Sequence, residues 1–462
     1  MRALPKIVVF DDDPTGSQTV HSCPLLLRWD QPALVEALND PSPLLFLLTD
    51  TRALPPEQVA ERVREICRAL EAARQEAGLQ DWLLVSRGDS TLRGHFPLEV
   101  EVIAAELGPF EATLLVPAFL EGGRTTVDGV HLLQGEPVHS TPFGRDRLFG
   151  YSSSFLPDWV EQKTGGRVPA AAVRRIGRTE LEAAIASPAG ARALADTLLS
   201  LRGNPFVVAD AERPQHLEAL AAAVWTAQET GARLLIQSAA GLIRALAALT
   251  PQPLNAAGLA ALRRGPAPGA VLVGSHVPLA DEQLAALLAE PDCGGVELPV
   301  ERVLDNLRQG RPPGEGIETE LLEAMQSLRR QGRTPVLFTS RGEASCVDEA
   351  ERRAFGEALA ALMARIAAAL PQDLSYLISK GGITTQTLLA EGLDAAAVRL
   401  EGQLLPGLSL VWLSADHPRF PLLPVLTFPG NLGEAATLVM AWRHMASARD
   451  VHWDQSDPAG ST

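Results

Sequence analysis

Lysine is almost absent from this chain. Only three occur, Lys6, Lys163 and Lys380, among 40 Lys plus Arg. A lysine inside a glycine-rich turn therefore stands out, and Lys380 sits in one. Positive charge is scarce overall, with 56 Asp plus Glu leaving a formal net charge of −16. That balance argues against a nucleic-acid backbone or an anionic membrane as partner. An anion can still be held locally, by Arg forks or backbone N–H groups. Cysteine is also sparse. Cys23, Cys67, Cys293 and Cys346 lie far apart with no CxxC pair, which argues against a disulfide framework or a structural zinc site and fits a reducing compartment. The apolar runs are too short or too interrupted to span a bilayer. The first residues run into a strand-like segment with no signal-peptide core, so a cytoplasmic protein is expected. Neither a Walker A loop nor a GxGxxG fingerprint is present.

What the chain does have is alternation. Short apolar runs rich in branched residues, such as Lys6–Phe10, Leu44–Thr49, Trp82–Ser86, Ala112–Val116, Pro205–Ala209 and Arg233–Gln237, alternate with helical patterns such as 56–77, 97–107 and 214–230. A Pro- and Gly-rich stretch at 250–269 follows. A second series then begins: Ala270–Val273, Gly295–Pro299, Pro335–Thr339, Ser375–Ser379, Leu408–Leu413 and Val425–Phe428. This pattern predicts an α/β protein of two domains, each a mostly parallel sheet flanked by helices. The expected spans are 1–258 and 259–446, with a mobile polar tail at 447–462. The region 132–167 is less regular and reads as a binding loop or a peripheral insertion.

The first strand ends in Asp11-Asp12-Asp13 before a Pro-Thr-Gly turn. Adjacent carboxylates need water, hydrogen-bond donors, a cation or a polyol, and open α/β sheets bind ligands at the carboxyl ends of their strands. A solvated acidic turn is the plain alternative. After Trp82–Ser86 comes Arg87-Gly88-Asp89-Ser90-Thr91-Leu92-Arg93-Gly94-His95, where two guanidinium forks stand beside a carboxylate and two hydroxyls. Arg matches a carboxylate bidentately, and Asp or Ser bonds hydroxyls, which suits a small polyhydroxy acid. An ordinary helix cap is the competing reading. A third loop, from Pro117 to His131, carries Arg124, Thr125, Asp128 and His131. Three such loops at successive strand ends are less easily a coincidence than one.

The second half differs. Gly274-Ser275, Lys380-Gly381-Gly382 and Pro429-Gly430-Asn431-Leu432-Gly433 each follow a predicted strand and precede a helix. Such turns present free backbone N–H groups suited to phosphate, and Lys380 would add a point charge. A hydroxy acid in one half and a polyphosphate in the other point to phosphoryl transfer.

The motifs Asp12-Asp13-Pro14-Thr15-Gly16, Asp89-Ser90-Thr91-Leu92-Arg93-Gly94, Gly274-Ser275, Lys380-Gly381-Gly382-Ile383-Thr384, Leu405-Pro406-Gly407 and Gly430-Asn431-Leu432-Gly433 span the chain in order. In them it resembles the four-carbon acid sugar kinases, the DUF1537 family of 3-oxo-tetronate, threonate and erythronate kinases, as a divergent subgroup. The resemblance implies a sugar-acid domain, an ATP domain and a site in the cleft between them. It implies acid-sugar contacts at Asp12, Asp13, Asp89, Ser90 and Arg93, and ATP contacts at Ser275, Gly381, Gly382, Ile383, Thr384 and Gly407. To these the residues add Arg87 and Arg124 as candidate carboxylate ligands. They also add Lys380, Gly430, Asn431 and Gly433 as candidate phosphate ligands.

Asp12 or Asp13 is expected to take the hydroxyl proton, with ATP and Mg2+ as cofactors and no metal ligand assigned in the protein. A homodimer is left open. Two other readings remain: a non-catalytic sensor of sugar acid and nucleotide, and a nicotinamide-dependent oxidoreductase, the latter disfavoured by the missing fingerprint.

Overall fold

A computed structural model describes residues 5–13, 19–52, 54–250, 252–341, 345–430 and 432–447. Residues 14–18, Asn431 and the tail beyond Ser447 lie outside the described residues. The chain divides into two compact units, residues 1–251 and 252–462.

The first unit contains β1 (Lys6–Asp11), β2 (Cys23–Leu26), β3 (Leu44–Leu48), β4 (Trp82–Arg87), β5 (Ala112–Val116), β6 (Arg124–Val127), β7 (Val130–Leu133), β8 (Glu136–Pro137), β9 (Arg174–Ile176), β10 (Phe206–Ala209) and β11 (Leu234–Ser238). Eight of these form a sheet in the order β2-β3-β1-β4-β11-β5-β10-β9. Every pairing in it is parallel. Helices cover both faces of such a sheet, so its strands read as continuous apolar runs rather than alternating ones. β3 and β5 are buried at every position. The helix Pro56–Glu76 shows the complementary pattern, burying Val59, Val63, Ile66, Leu70 and Ala73 at helical spacing.

The region 132–167 is ordered structure rather than open loop. It continues the small antiparallel sheet β6-β7-β8, contributing the end of β7 and all of β8, and then holds short 3-10 turns and a helix over Leu156–Lys163 that buries Trp159 and Val160.

The second unit contains β12 (Ala270–Val273), β13 (Cys293–Leu298), β14 (Thr334–Thr339), β15 (Leu377–Lys380), β16 (Ala397–Leu405), β17 (Leu408–Leu413) and β18 (Pro424–Phe428). They pair in the order β13-β14-β12-β15-β18-β17-β16. The first five strands pair in parallel, and β17 then joins β18, and β16 joins β17, by antiparallel pairing. The core packs Val271, Val273, Ile378, Leu426 and Phe428 against Leu438 and Trp442 of the last helix. β16 escapes a search for apolar runs because only alternate residues are buried, with Arg399, Glu401 and Gln403 between them. The helix expected after the Lys380-Gly381-Gly382 turn begins within it, at Gly382, directly after β15.

Candidate active site

In the first unit β1 lies between β3 and β4. The chain leaves β1 toward β2 on one side and leaves β4 toward β5 on the other. Connections reverse direction here, which opens a crevice at the carboxyl ends of the strands. Register sets Asp11 beside Arg87, and Arg87 beside Ser238. The acidic turn and the Arg87–His95 loop therefore emerge together.

Asp11 and Asp12 are buried, and two guanidinium groups meet the acidic turn. Arg52 donates from Nε to Asp12 Oδ2 at 3.0 Å and from NH2 to Asp12 Oδ1 at 2.6 Å. Its NH1 donates to Asp13 Oδ2 at 2.7 Å. Arg87 NH1 lies 3.4 Å from both Asp11 Oδ1 and Asp12 Oδ1. Burial raises the Asp11 carboxyl to about 7, against the pull of Arg87. Behind them Glu99 is buried, accepts the Thr51 hydroxyl at 2.5 Å, and is raised by burial and by the Asp12 charge. Among the described residues no three His, Cys, Asp or Glu side chains are grouped to hold a metal ion.

The Asp89 loop is braced from several sides. Arg93 Nε donates to Asp89 Oδ2 at 2.7 Å, and the Thr91 hydroxyl bonds the same oxygen. Burial pushes the Asp89 carboxyl up, but Arg52 and Arg93 outweigh it and hold it at about 2. Tyr151 donates its hydroxyl to Thr91 O at 2.6 Å. His131 Nε2 lies 2.8 Å from Ser90 O and Nδ1 3.0 Å from Thr126 Oγ1. A carbonyl can only accept, so Nε2 carries the proton and Nδ1 accepts from Thr126. Burial lowers the His131 pKa to about 4 and keeps the ring neutral. The Arg93 guanidinium lies 4.9 Å from the Phe143 ring centroid, with NH1 4.0 Å from Asp146. The hairpin β6-β7 and the segment after it thus fix the backbone and one arginine of this loop.

Asp12, Asp89, Arg93, His95, Gln237 and Ser238 line one small pocket. His95 Nε2 is buried there with no hydrogen-bond partner among the described residues, and burial lowers the ring's pKa. Of the residues expected from sequence, Asp12, Asp89 and Arg93 meet in this pocket, and Ser90 lies in the braced loop. Asp13 sits at the outer end of the Arg52 pair. Arg87 differs from expectation: its guanidinium is buried and committed to Asp11 and Asp12, so it neutralises the acidic turn. Arg124 also differs. It donates to Gly122 O at 2.5 Å, packs against Phe119, and does not line the pocket.

Arg52, His95 and Gln237 went unassigned in the sequence. The signal for Arg52 was present, because Thr49-Asp50-Thr51-Arg52 is another polar run at the end of an apolar strand. Gln237 gave none: it lies within an apolar strand.

In the second unit connections reverse between β12 and β15, and register sets Val273 beside Lys380 and Lys380 beside Phe428. Three turns converge there. Gly274 N donates to Lys380 O at 3.1 Å and Gly381 N to Phe428 O at 2.9 Å. A Cβ on Gly274 would run into the Thr384 side chain, and one on Gly430 would lie 2.6 Å from Ser275 Oγ. Gly381, at φ 123°, needs the freedom of glycine. Ile383 follows in the helix Gly382–Thr387. A Cβ on Gly407 would press on Leu432, beside Gly433.

Lys380 corrects the sequence reading. Its side chain is fully buried, and Nζ donates to Pro429 O at 3.1 Å and Gly430 O at 3.2 Å while packing over the Phe428 ring. Burial, with Arg341 nearby, pulls its pKa down to about 8. It shapes the Gly430 turn instead of presenting an open charge.

A family model described as a sugar-binding N-terminal domain matches residues 7–246, and one described as a nucleotide-binding C-terminal domain matches 270–438. A D-threonate kinase of Cupriavidus necator is 30% identical over 87% of each chain. A D-erythronate kinase of Heliobacterium modesticaldum is 24% identical over 94% of this chain and 95% of its own. A solved Haemophilus influenzae structure of the DUF1537 family shares the fold, with a TM-score of 0.64 at 16% identity, over 95% of this chain and all of its own.

Proposed function

The chain belongs to the four-carbon acid sugar kinase family, and from that premise we propose that it moves the γ-phosphoryl group of ATP onto a hydroxyl of a small sugar acid, a tetronate or 3-oxo-tetronate. The observation that carries this reading is the pocket of the first unit. It joins carboxylates that accept from hydroxyls (Asp12, Asp89), a guanidinium that receives a carboxylate (Arg93), and an imidazole nitrogen without a partner among the described residues (His95). A polyhydroxy acid offers the matching groups. Ser90, in the braced loop, supplies a further hydroxyl contact. The glycine turns of the second unit suit a polyphosphate, because their backbone approaches closely where side chains would intrude. Ser275, Gly381, Gly382, Ile383, Thr384, Gly407, Gly430 and Gly433 are the proposed ATP contacts.

In the transfer, the acceptor O–H breaks, an O–P bond forms, and the bridging bond to ADP breaks. Asp12, the pocket-lining acid, takes the proton, and Asp13 helps Arg52 hold it in place. Phosphoryl transfer through a loose transition state leans on positioning and charge more than on proton abstraction. Mg2+ would enter with ATP and would supply charge neutralisation to the phosphates, and no protein carboxylate is assigned to it.

No described helix is long and apolar enough to cross a membrane, and a cytoplasmic setting is part of this proposal. ADP release is measured across aldonic and keto-aldonic acids of four to six carbons. ADP formed with at least one C4 acid, and lost in Asp12→Asn, is the expected outcome. No ADP above background with any acid overturns the reading in favour of a non-catalytic sensor.

A further inference from the structure

A triphosphate calls for a cation, and Lys380, the lysine at these turns, is buried and donates to backbone carbonyls. Arg341 stands where such a cation is needed. It follows β14, which pairs with β12 so that Val273 lies beside Phe338. The residues after both strands therefore leave the same edge of the sheet, next to the point where connections reverse. Arg341 NH1 donates to Ser275 O at 2.6 Å and lies 3.0 Å from Asp281 Oδ1. These contacts tie one end of the guanidinium to the Gly274-Ser275 turn. Nε and NH2 are buried and have no hydrogen-bond partner among the described residues.

Two adjacent buried donors left unpaired are costly, and each calls for a reason. Nε and NH2 form one edge of the guanidinium fork, with the spacing that receives two oxygens of one phosphate or carboxylate. The charge on Arg341 is also felt nearby. After burial itself, Arg341 is what lowers the pKa of both Lys380 and His276.

Resting on the nucleotide reading above, we propose that Arg341 binds a phosphate of the nucleotide through Nε and NH2. Lys380 has a different task, holding the Pro429–Gly430 carbonyls so that the turn keeps its shape. Asp281, about half exposed, orients Arg341 through NH1 and leaves the other edge free.

The test is calorimetric titration of the full chain with ATP, ADP and adenosine, for wild type, Arg341→Met and Arg341→Lys. A lost charge-assisted bidentate contact is worth about 10- to 100-fold in affinity. Arg341→Met is expected to weaken ATP and ADP by that factor and leave adenosine unchanged. Arg341→Lys, which keeps the charge but not the fork, is expected to fall between. KM for ATP rises in parallel while KM for the acid stays put. Thermal melts of both variants guard against misfolding. If Arg341→Met unfolds, the intermediate affinity of a folded Arg341→Lys supports the assignment and a wild-type affinity overturns it. Wild-type binding of ATP in Arg341→Met overturns the Arg341 assignment alone. Failure of the wild-type chain to bind ATP overturns it together with the nucleotide reading.

Discussion

Arg52 grips Asp12 at two points, Nε on one carboxylate oxygen and NH2 on the other, and reaches Asp13 with its remaining nitrogen. One planar fork thus fixes both acids of the proposed catalytic pair. Lysine has one charge centre and cannot reproduce that geometry. Removing one member of a buried pair typically costs about 3 kcal/mol or more, on the order of 100-fold in an equilibrium or rate. Arg52 is 19% exposed, so the lower end applies. Arg52→Met and Arg52→Lys are both expected to lose about 100-fold in kcat/KM and to melt below wild type. An Arg52→Lys enzyme with wild-type turnover would show that the fork is dispensable.

Stability should fall as pH rises through the acid range. Burial raises Asp11 to about 7 and also raises Glu99. In the unfolded chain both titrate near 4, so between about pH 4 and pH 7 the folded state binds more protons. Stability then declines with rising pH across that window. Glu99→Gln keeps the shape and an acceptor for Thr51 but removes the titration. Its melting temperature should decline less steeply than wild type between those pH values. Equal slopes would remove Glu99 from the account.

Tyr151→Phe deletes the hydroxyl that holds Thr91 O and little else. A net hydrogen bond is worth about 1 kcal/mol, close to fivefold. KM for the acid should rise by about that factor, with KM for ATP unchanged, because the lost contact braces the Asp89–Arg93 loop. Equal rises in both constants would contradict a local brace.

Lys380→Met removes two donors from the carbonyls of Pro429 and Gly430. Methionine fills similar apolar space over Phe428 but cannot hold the turn. ATP affinity measured by titration should drop by about tenfold or more, while acid binding to the first unit is retained. Unchanged ATP affinity would mean that the turn keeps its shape without the lysine.

The fold class was readable because parallel, doubly covered strands must be apolar at every position, and runs such as Leu44–Leu48 and Ala270–Val273 announce themselves. β16 was hidden by its alternating pattern. The polar ends of β1 and β4 were legible for the same reason as the strands: charge following an apolar run marks where a buried strand reaches the edge of its sheet. The family resemblance then gave those ends a chemistry.

Partner choice was not legible. Arg87 and Arg93 look alike in one short loop, yet Arg87 neutralises Asp11 and Asp12 while Arg93 lines the pocket. The difference lies in register across β1 and β4, which depends on residues far apart in the chain. Lys380 stood out by rarity, but only the packing of β15 beside β18 shows its ammonium spent on carbonyls. Likewise, only the placement of the segment after β14 shows two donors of Arg341 left unpaired among the described residues. Sequence determined which strands form and which polar groups end them. The tertiary structure decided which of those groups neutralise one another and which remain open to a ligand, because that depends on distances between strand ends that spacing along the chain does not encode.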